Sequence, residues 1–199
     1  MSEFQYYEFV AIDRPLSTAA QKKLRAITSR ATITSAQLVN TYEWGDFKGD
    51  PHALVAKYFD AFLYYANWGT RRLILRIPTA RLDEKVVRQY CPVLRSRNRR
   101  NSGVATVMIV DAHFVIDLWS EDESGGDWSD PAPGSLSALA SLRNELMAGD
   151  YRALHLAWRL RVQAGEIDRD VPAPPRIGGS KRPTGSQRAL AEFLRIDSE

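Results

Sequence analysis

Asp50-Pro51-His-Ala-Leu-Val-Ala-Lys-Tyr-Phe-Asp60-Ala-Phe-Leu-Tyr-Tyr-Ala-Asn67 is the stretch on which the fold turns. Asp50 can accept hydrogen bonds from the free amides of a first helical turn, and Pro51 sits where no N–H is required, so a helix starts here. Val55, Phe59, Phe62, Leu63 and Ala66 then recur at helical spacing and predict a helix over 51–67 with a heavy apolar face. Trp68-Gly69-Thr70 closes it. A helix of about 16 residues spans roughly 24 Å, so the polar turns at its two ends, 45–50 and 68–72, are expected to be separate sites.

Upstream of this stretch, residues 4–12 are aromatic and β-branched and read as a strand stopped by Pro15. Ser17 or Thr18 can cap a helix, with Gln21 completing a capping-box pattern, and residues 31–44 suggest a second strand ending at Gly45-Asp46-Phe47-Lys48-Gly49. Downstream, residues 72–78 alternate as a third strand and residues 82–90 suggest a short helix. Residues 93–99, 104–110 and 114–119 read as three strands of an antiparallel meander.

Beyond Ser120 the chain changes character. Glu121, Asp122, Glu123, Asp127 and Asp130 crowd an acidic loop, and leucines at 136, 139, 142 and 146 mark a helix stopped by Gly149. Asp150 caps a second helix holding Leu154, Trp158 and Val162. Pro172, Pro174 and Pro175 stiffen a linker, and Thr184 with Gln187 caps a last helix using Leu190, Phe193 and Leu194. The expected class is α+β, a mostly antiparallel sheet with packed helices and a C-terminal helical hairpin. The expected organisation is an α+β domain over 1–120, an acidic loop over 121–135, the hairpin over 136–165, a Pro/Gly-rich linker over 166–183 and a C-terminal helix over 184–199.

A chain of 199 residues can bury a proper core. Its longest purely apolar run, Val107-Met-Ile-Val110, is far short of a membrane span, so no membrane partner is expected. The first residues, Met-Ser-Glu-Phe-Gln-Tyr-Tyr, lack the basic and apolar regions of a secretion signal, and the single Cys91 cannot make an internal disulfide. The cytoplasm is the expected compartment. A net charge of +3 permits a polyanionic partner without demanding one. Of the 27 basic residues 21 are arginine, which suits bidentate phosphate or carboxylate recognition but also follows from base composition.

Catalytic constellations are not evident. Cys91 with one of His52, His113 and His155 is the cysteine-based option, but no spacing links them, and a buried thiol is the simpler reading. There is no His-Glu-x-x-His run, so no metal is expected, and Gly125-Gly126 and Gly178-Gly179 are bare pairs that predict no nucleotide cofactor. Carboxylates need no local motif, so an enzyme using Asp46, Asp50, Asp60 or His52 stays open. Arg95, Arg97 and Arg99 would project from one strand face and could follow a phosphate backbone, or form a solvated face paired with the acidic loop. Arg176, Lys181, Arg182 and Arg188 form a later basic cluster. Ligand or partner candidates are Trp44, Asp46, Lys48, Asp50, Trp68, Arg71 and Arg72, although both tryptophans read more simply as core corners than as a ligand pocket.

Tyr42-Glu-Trp-Gly-Asp-Phe-Lys-Gly-Asp-Pro51, Tyr58-Phe-Asp-Ala-Phe-Leu-Tyr64, Ala66-Asn-Trp-Gly-Thr-Arg-Arg72 and Gly149-Asp-Tyr-Arg-Ala-Leu-His155 resemble an uncharacterised family of bacterial proteins. The resemblance covers most of the chain and implies a cytoplasmic bacterial protein with no activity or cofactor to carry over. The missing catalytic constellations and the separable helical tail after the acidic loop make the expected function a non-enzymatic binding module in an intracellular protein complex, with another protein as partner. Nucleic-acid binding through the arginine row and an enzyme with a carboxylate/His site are the alternatives.

Overall fold

The computed structural model describes residues 3–94, 103–122, 135–180 and 182–197. Its centre is an eight-stranded sheet in the order β2-β3-β1-β4-β5-β8-β7-β6. The strands are β1 (Gln5–Val10), β2 (Thr32–Ile33), β3 (Gln37–Tyr42), β4 (Ala61–Ala66), β5 (Arg71–Pro78), β6 (Val93–Leu94), β7 (Ala105–Val110) and β8 (His113–Ser120). All neighbouring pairs are antiparallel except β6 with β7. The α+β class with a mostly antiparallel sheet holds. The meander is corrected at its first strand, because helix α3 (Glu84–Tyr90) carries the chain across and delivers β6 parallel to β7.

The larger correction concerns residues 51–67. Helix α2 ends at Pro51–Lys57, and the same apolar run continues as strand β4. Tyr58 N and Phe59 N still donate to Leu54 O, but Asp60 N turns to Val10 O at 2.8 Å, so the backbone partner changes from the helix to β1. The side chain of Asp60 fixes the corner. Its Oδ2 accepts from Ile12 N at 2.6 Å and Asp13 N at 2.9 Å, and its Oδ1 accepts from Arg76 Nη2 at 2.6 Å. Burial opposes ionisation of this carboxyl, but those amides and the guanidinium outweigh it and hold it below the usual carboxylate range.

Both faces of β4 are buried, which explains why no polar alternation marked it as a strand. Ala61, Leu63 and Tyr65 join a core formed with Leu73, Leu75, Ile116 and the helices α3, α4 (Ser135–Ala140), α5 (Leu142–Met147), α6 (Arg152–Gln163) and α7 (Gly185–Phe193). Phe62 faces the opposite core, with Phe9, Leu38, Ile74 and Val115 under α1 (Thr18–Ile27) and α2. The sheet therefore lies between two helical layers.

Helix starts follow the residues that signalled them, with one shift. Ser17, not Thr18, caps α1 by accepting from Ala20 N, while Gln21 Nε2 reaches back to Leu16 O. Thr184 and Gln187 form the full capping box of α7. The first of the two expected C-terminal helices is divided into α4 and α5 at Ser141, and Gly149, with φ of +87°, precedes α6. Packing is closest between α4 and α7 and between α6 and both α3 and α7. Part of the Pro-rich segment is held in place, since Tyr90 Oη donates to Pro175 O at 2.6 Å and Tyr151 N to Ile177 O at 2.9 Å.

Phe62 and Leu63 stand on opposite faces and each is fully buried. Phe62→Ala is expected to cost ~3–5 kcal/mol and Leu63→Ala ~2–5 kcal/mol. Urea unfolding should show the two losses adding in the double variant, because the side chains share no core.

Candidate functional site

Gln5 organises the end of the sheet where the sequence candidates gather. Tyr42 at the end of β3 and Ala66 at the end of β4 are both register partners of Gln5. The turns that follow them therefore begin about 10 Å apart, two strand spacings, across one sheet end. The wide separation expected of the two turns is overturned, because a short helix and a returning strand replace the long helix. Gln5 Nε2 donates to Gly45 O at 2.9 Å, and Asn67 Oδ1 accepts from Phe4 N at 3.0 Å, so β1 ties down both turns. Tyr7 Oη and Tyr64 Oη both donate to Gln5 Oε1, at 2.6 and 3.1 Å. Burial first, then the charges of Asp46 and Glu121, pushes the Tyr64 hydroxyl up to about 12 against the lowering effect of its hydrogen bond with Tyr7.

Trp44 and Trp68 are not core corners. They are 65% and 42% exposed, whereas Phe47 between them in sequence folds inward onto Tyr7 and Phe9, with ring centroids at 5.2 and 5.8 Å. The Arg30 guanidinium lies 4.7 Å from the Trp44 ring. Asp46 and Lys48 are exposed beside Trp44. Gly69 takes φ of +107° in the β4–β5 turn, and any side chain there would collide with the Asp122 carbonyl.

Arg71 and Arg72 begin β5 and point to opposite faces. Arg71 Nη1 donates to Phe193 O at 2.9 Å, capping the last turn of α7, and its guanidinium lies 5.9 Å from the Phe193 ring. Burial, then repulsion from Arg195, lowers its pKa. Arg72 grips Asp117 of β8 with two bonds, Nε to Oδ1 at 2.8 Å and Nη2 to Oδ2 at 2.7 Å, and packs 5.2 Å from the Trp119 ring.

Asp117 Oδ2 also meets His52 Nε2 at 2.6 Å. Asp50 sets the imidazole's position on the first turn of α2, since its Oδ1 accepts from His52 N at 3.0 Å. Burial opposes the charge on Asp117, but the hydrogen bonds from Arg72 and His52 and the charge of Arg72 outweigh it and hold the carboxyl at about 2. The three side chains border a cavity of about 940 Å³ whose walls include Thr106, Met108, Trp119 and Ser120. Ser120 Oγ is buried and has no hydrogen-bond partner among the described residues.

Sequence reasoning singled out His52, Asp50 and Arg72 but missed Asp117, which stands 65 residues from His52. A signal existed. Asp117 is the one charged residue in the apolar run Phe114-Val-Ile-Asp-Leu-Trp119, and a charge in such a strand needs a buried partner. The other candidates have structural roles or lie elsewhere. Asp60 is consumed by the corner described above. Burial pushes the Cys91 thiol up to about 12, while His52 is engaged with Asp117 and His155 stacks on Trp158 at 5.9 Å. Arg95, Arg97, Arg99 and Lys181 lie outside the described residues. Arg176 reaches His155, and Arg188 Nη1 donates to Pro183 O. Among the described residues no group of three His, Cys, Asp or Glu side chains is placed to hold a metal ion, and no helix is long and apolar enough to cross a membrane.

No family model, no curated protein and no solved structure matches the chain.

Because the folded Asp117 carboxyl sits at about 2, below its ordinary value of about 3.9, it stabilises the fold above the ordinary value. That stability is lost as pH falls from there through about 2. Asp117→Asn should cost ~3–5 kcal/mol at neutral pH by leaving Arg72 buried without its anion. Melting temperatures measured across the acid range should fall less steeply in the variant than in the parent.

Proposed function

We infer that the chain is a non-enzymatic binding module that engages another protein through the sheet end carrying Trp44 and Trp68. The observation behind this reading is that the register of β1 brings two exposed tryptophans, on turns 24 residues apart in the chain, to one end of the sheet. Tryptophan is among the residue types that most often carry binding energy at protein interfaces. Asp46 and Lys48 supply the polar rim that such an anchor needs.

The platform is also rigid. Gln5 and Asn67 fix the two turns to β1, and Arg71 fixes the start of β5 to α7, so little ordering has to occur on binding. The partner is expected to offer apolar recesses for two indoles. An intracellular setting is part of this reading and is supported by the lone, buried Cys91, which makes no internal disulfide.

A photo-crosslinking side chain placed at position 44 or 68 in the native host should capture the same protein from both positions and not from Lys22 on α1. Against that isolated partner, Trp44→Ala and Trp68→Ala should each weaken binding at least about thirtyfold, while the melting temperature stays near the parent's because both side chains are exposed. Adducts only with a second copy of the chain, adducts with nucleic acid, or unchanged affinity in the double variant would each overturn the reading.

A further inference from the structure

The cavity bordered by α2, β5, β7 and β8 holds an imidazole arranged as a proton acceptor, and the partner-binding surface does not use it. Asp117 is ionised, so both its oxygens can only accept. Arg72 occupies them from one side with two parallel bonds, and His52 Nε2 approaches Oδ2 at 2.6 Å from the other. Nε2 must therefore carry a proton. In neutral imidazole that leaves Nδ1 as a bare lone pair, and Nδ1 has no hydrogen-bond partner among the described residues.

His52 is only 6% exposed, yet it lines the 940 Å³ cavity. A base oriented by a buried carboxylate, which is itself anchored by a third group, is the arrangement that proton-transfer chemistry requires. A structural role alone explains the bond at Nε2 but not the placement of the ring at a cavity wall. The cavity is of the size that takes a small organic molecule, and its walls are mixed. Trp119 and Met108 offer apolar surface, and Thr106, the register partner of Asp117, offers a hydroxyl on the face of His52.

We propose that His52 is the proton-transfer residue of a small-molecule site in this cavity, its Nδ1 taking the proton of a weakly acidic hydroxyl on a ligand with an apolar body. The ligand O–H bond breaks and an N–H bond forms at Nδ1. The bonding electrons stay on the ligand oxygen as an oxyanion, and the imidazolium charge faces Asp117. Arg72 and Asp117 are positioning residues, acting through the imidazole. This site is independent of the tryptophan surface, and neither reading depends on the other.

The test uses the full chain labelled with ¹⁵N-histidine and the probe p-nitrophenol, whose phenolate is yellow. A long-range ¹H–¹⁵N spectrum should show neutral His52 protonated at Nε2 and bare at Nδ1. Titration with the probe should give a saturable phenolate band and move the Nδ1 resonance. His52→Gln keeps an amide donor for Asp117 and removes the basic nitrogen, so it should retain the parent's melting temperature and lose at least about tenfold in probe affinity. Protonation at Nδ1, no saturable phenolate band in the parent chain, or a His52→Gln variant that binds the probe as well as the parent would overturn the proposal.

Discussion

A buried carboxylate, Asp60, sets the path of the chain on which everything else depends. It is 1% exposed and gathers two amides from the end of β1, the guanidinium of Arg76 on β5 and, at 3.8 Å, that of Arg143 on α5. One side chain thus joins two strands and a helix from three parts of the chain. An ionised group at that depth is tolerable only when every lone pair is met, and the two backbone amides that meet Asp60 exist only because the chain turns there. The corner and the carboxylate require one another. If helix α2 ran on to Asn67, its ends would stand roughly 24 Å apart and no common surface would form.

The arginine excess acquires a third explanation here, beside base composition and phosphate recognition. Arg72 holds Asp117, Arg76 holds Asp60, Arg143 holds Asp13 and Arg152 holds Asp150, each through bidentate or near-bidentate contacts. Lysine could not reproduce the fork geometry that binds a carboxylate and orients it at once. Such pairs contribute little net stability compared with apolar side chains of the same size, but Arg72 with Asp117 and Arg76 with Asp60 specify how β5 meets β8 and the corner before β4. In a sheet with both faces apolar, where a slip of register would exchange one buried face for another, that specificity matters more than it would beside a solvated face.

What could be read from the sequence divides along the same line. Local chemistry was legible. Asp50-Pro51 starts α2, Thr184 and Gln187 cap α7, and β5 appears nearly where its alternation placed it. The run 58–66 was not legible, because a strand covered on both faces and a buried helix present the same unbroken apolar pattern, and only the non-local pairing with β1 decides between them. The site inherited that error. Trp44, Asp46, Lys48, Trp68, Arg71 and Arg72 were all singled out, but their shared location was hidden by the misread helix. Asp117 could be suspected only as a charge in an apolar strand, and its partner His52 is brought to it by packing of α2 against β5 and β8.

Arg71 and Arg72 show how closely the two faces are joined. They are consecutive residues, yet Arg71 closes α7 onto one side of the sheet while Arg72 holds the Asp117 carboxylate, and through it His52, on the other. Trp68 precedes them in the same tight turn, whose Gly69 leaves no room for a side chain beside Asp122. The exposed indole therefore sits at the head of a strand whose first two residues anchor both helical layers, so the turn cannot shift without disturbing one arginine or the other. The exposed aromatic rim and the His52-Asp117-Arg72 cluster are thus distinct surfaces that share only the start of β5, where Arg72 belongs to the second.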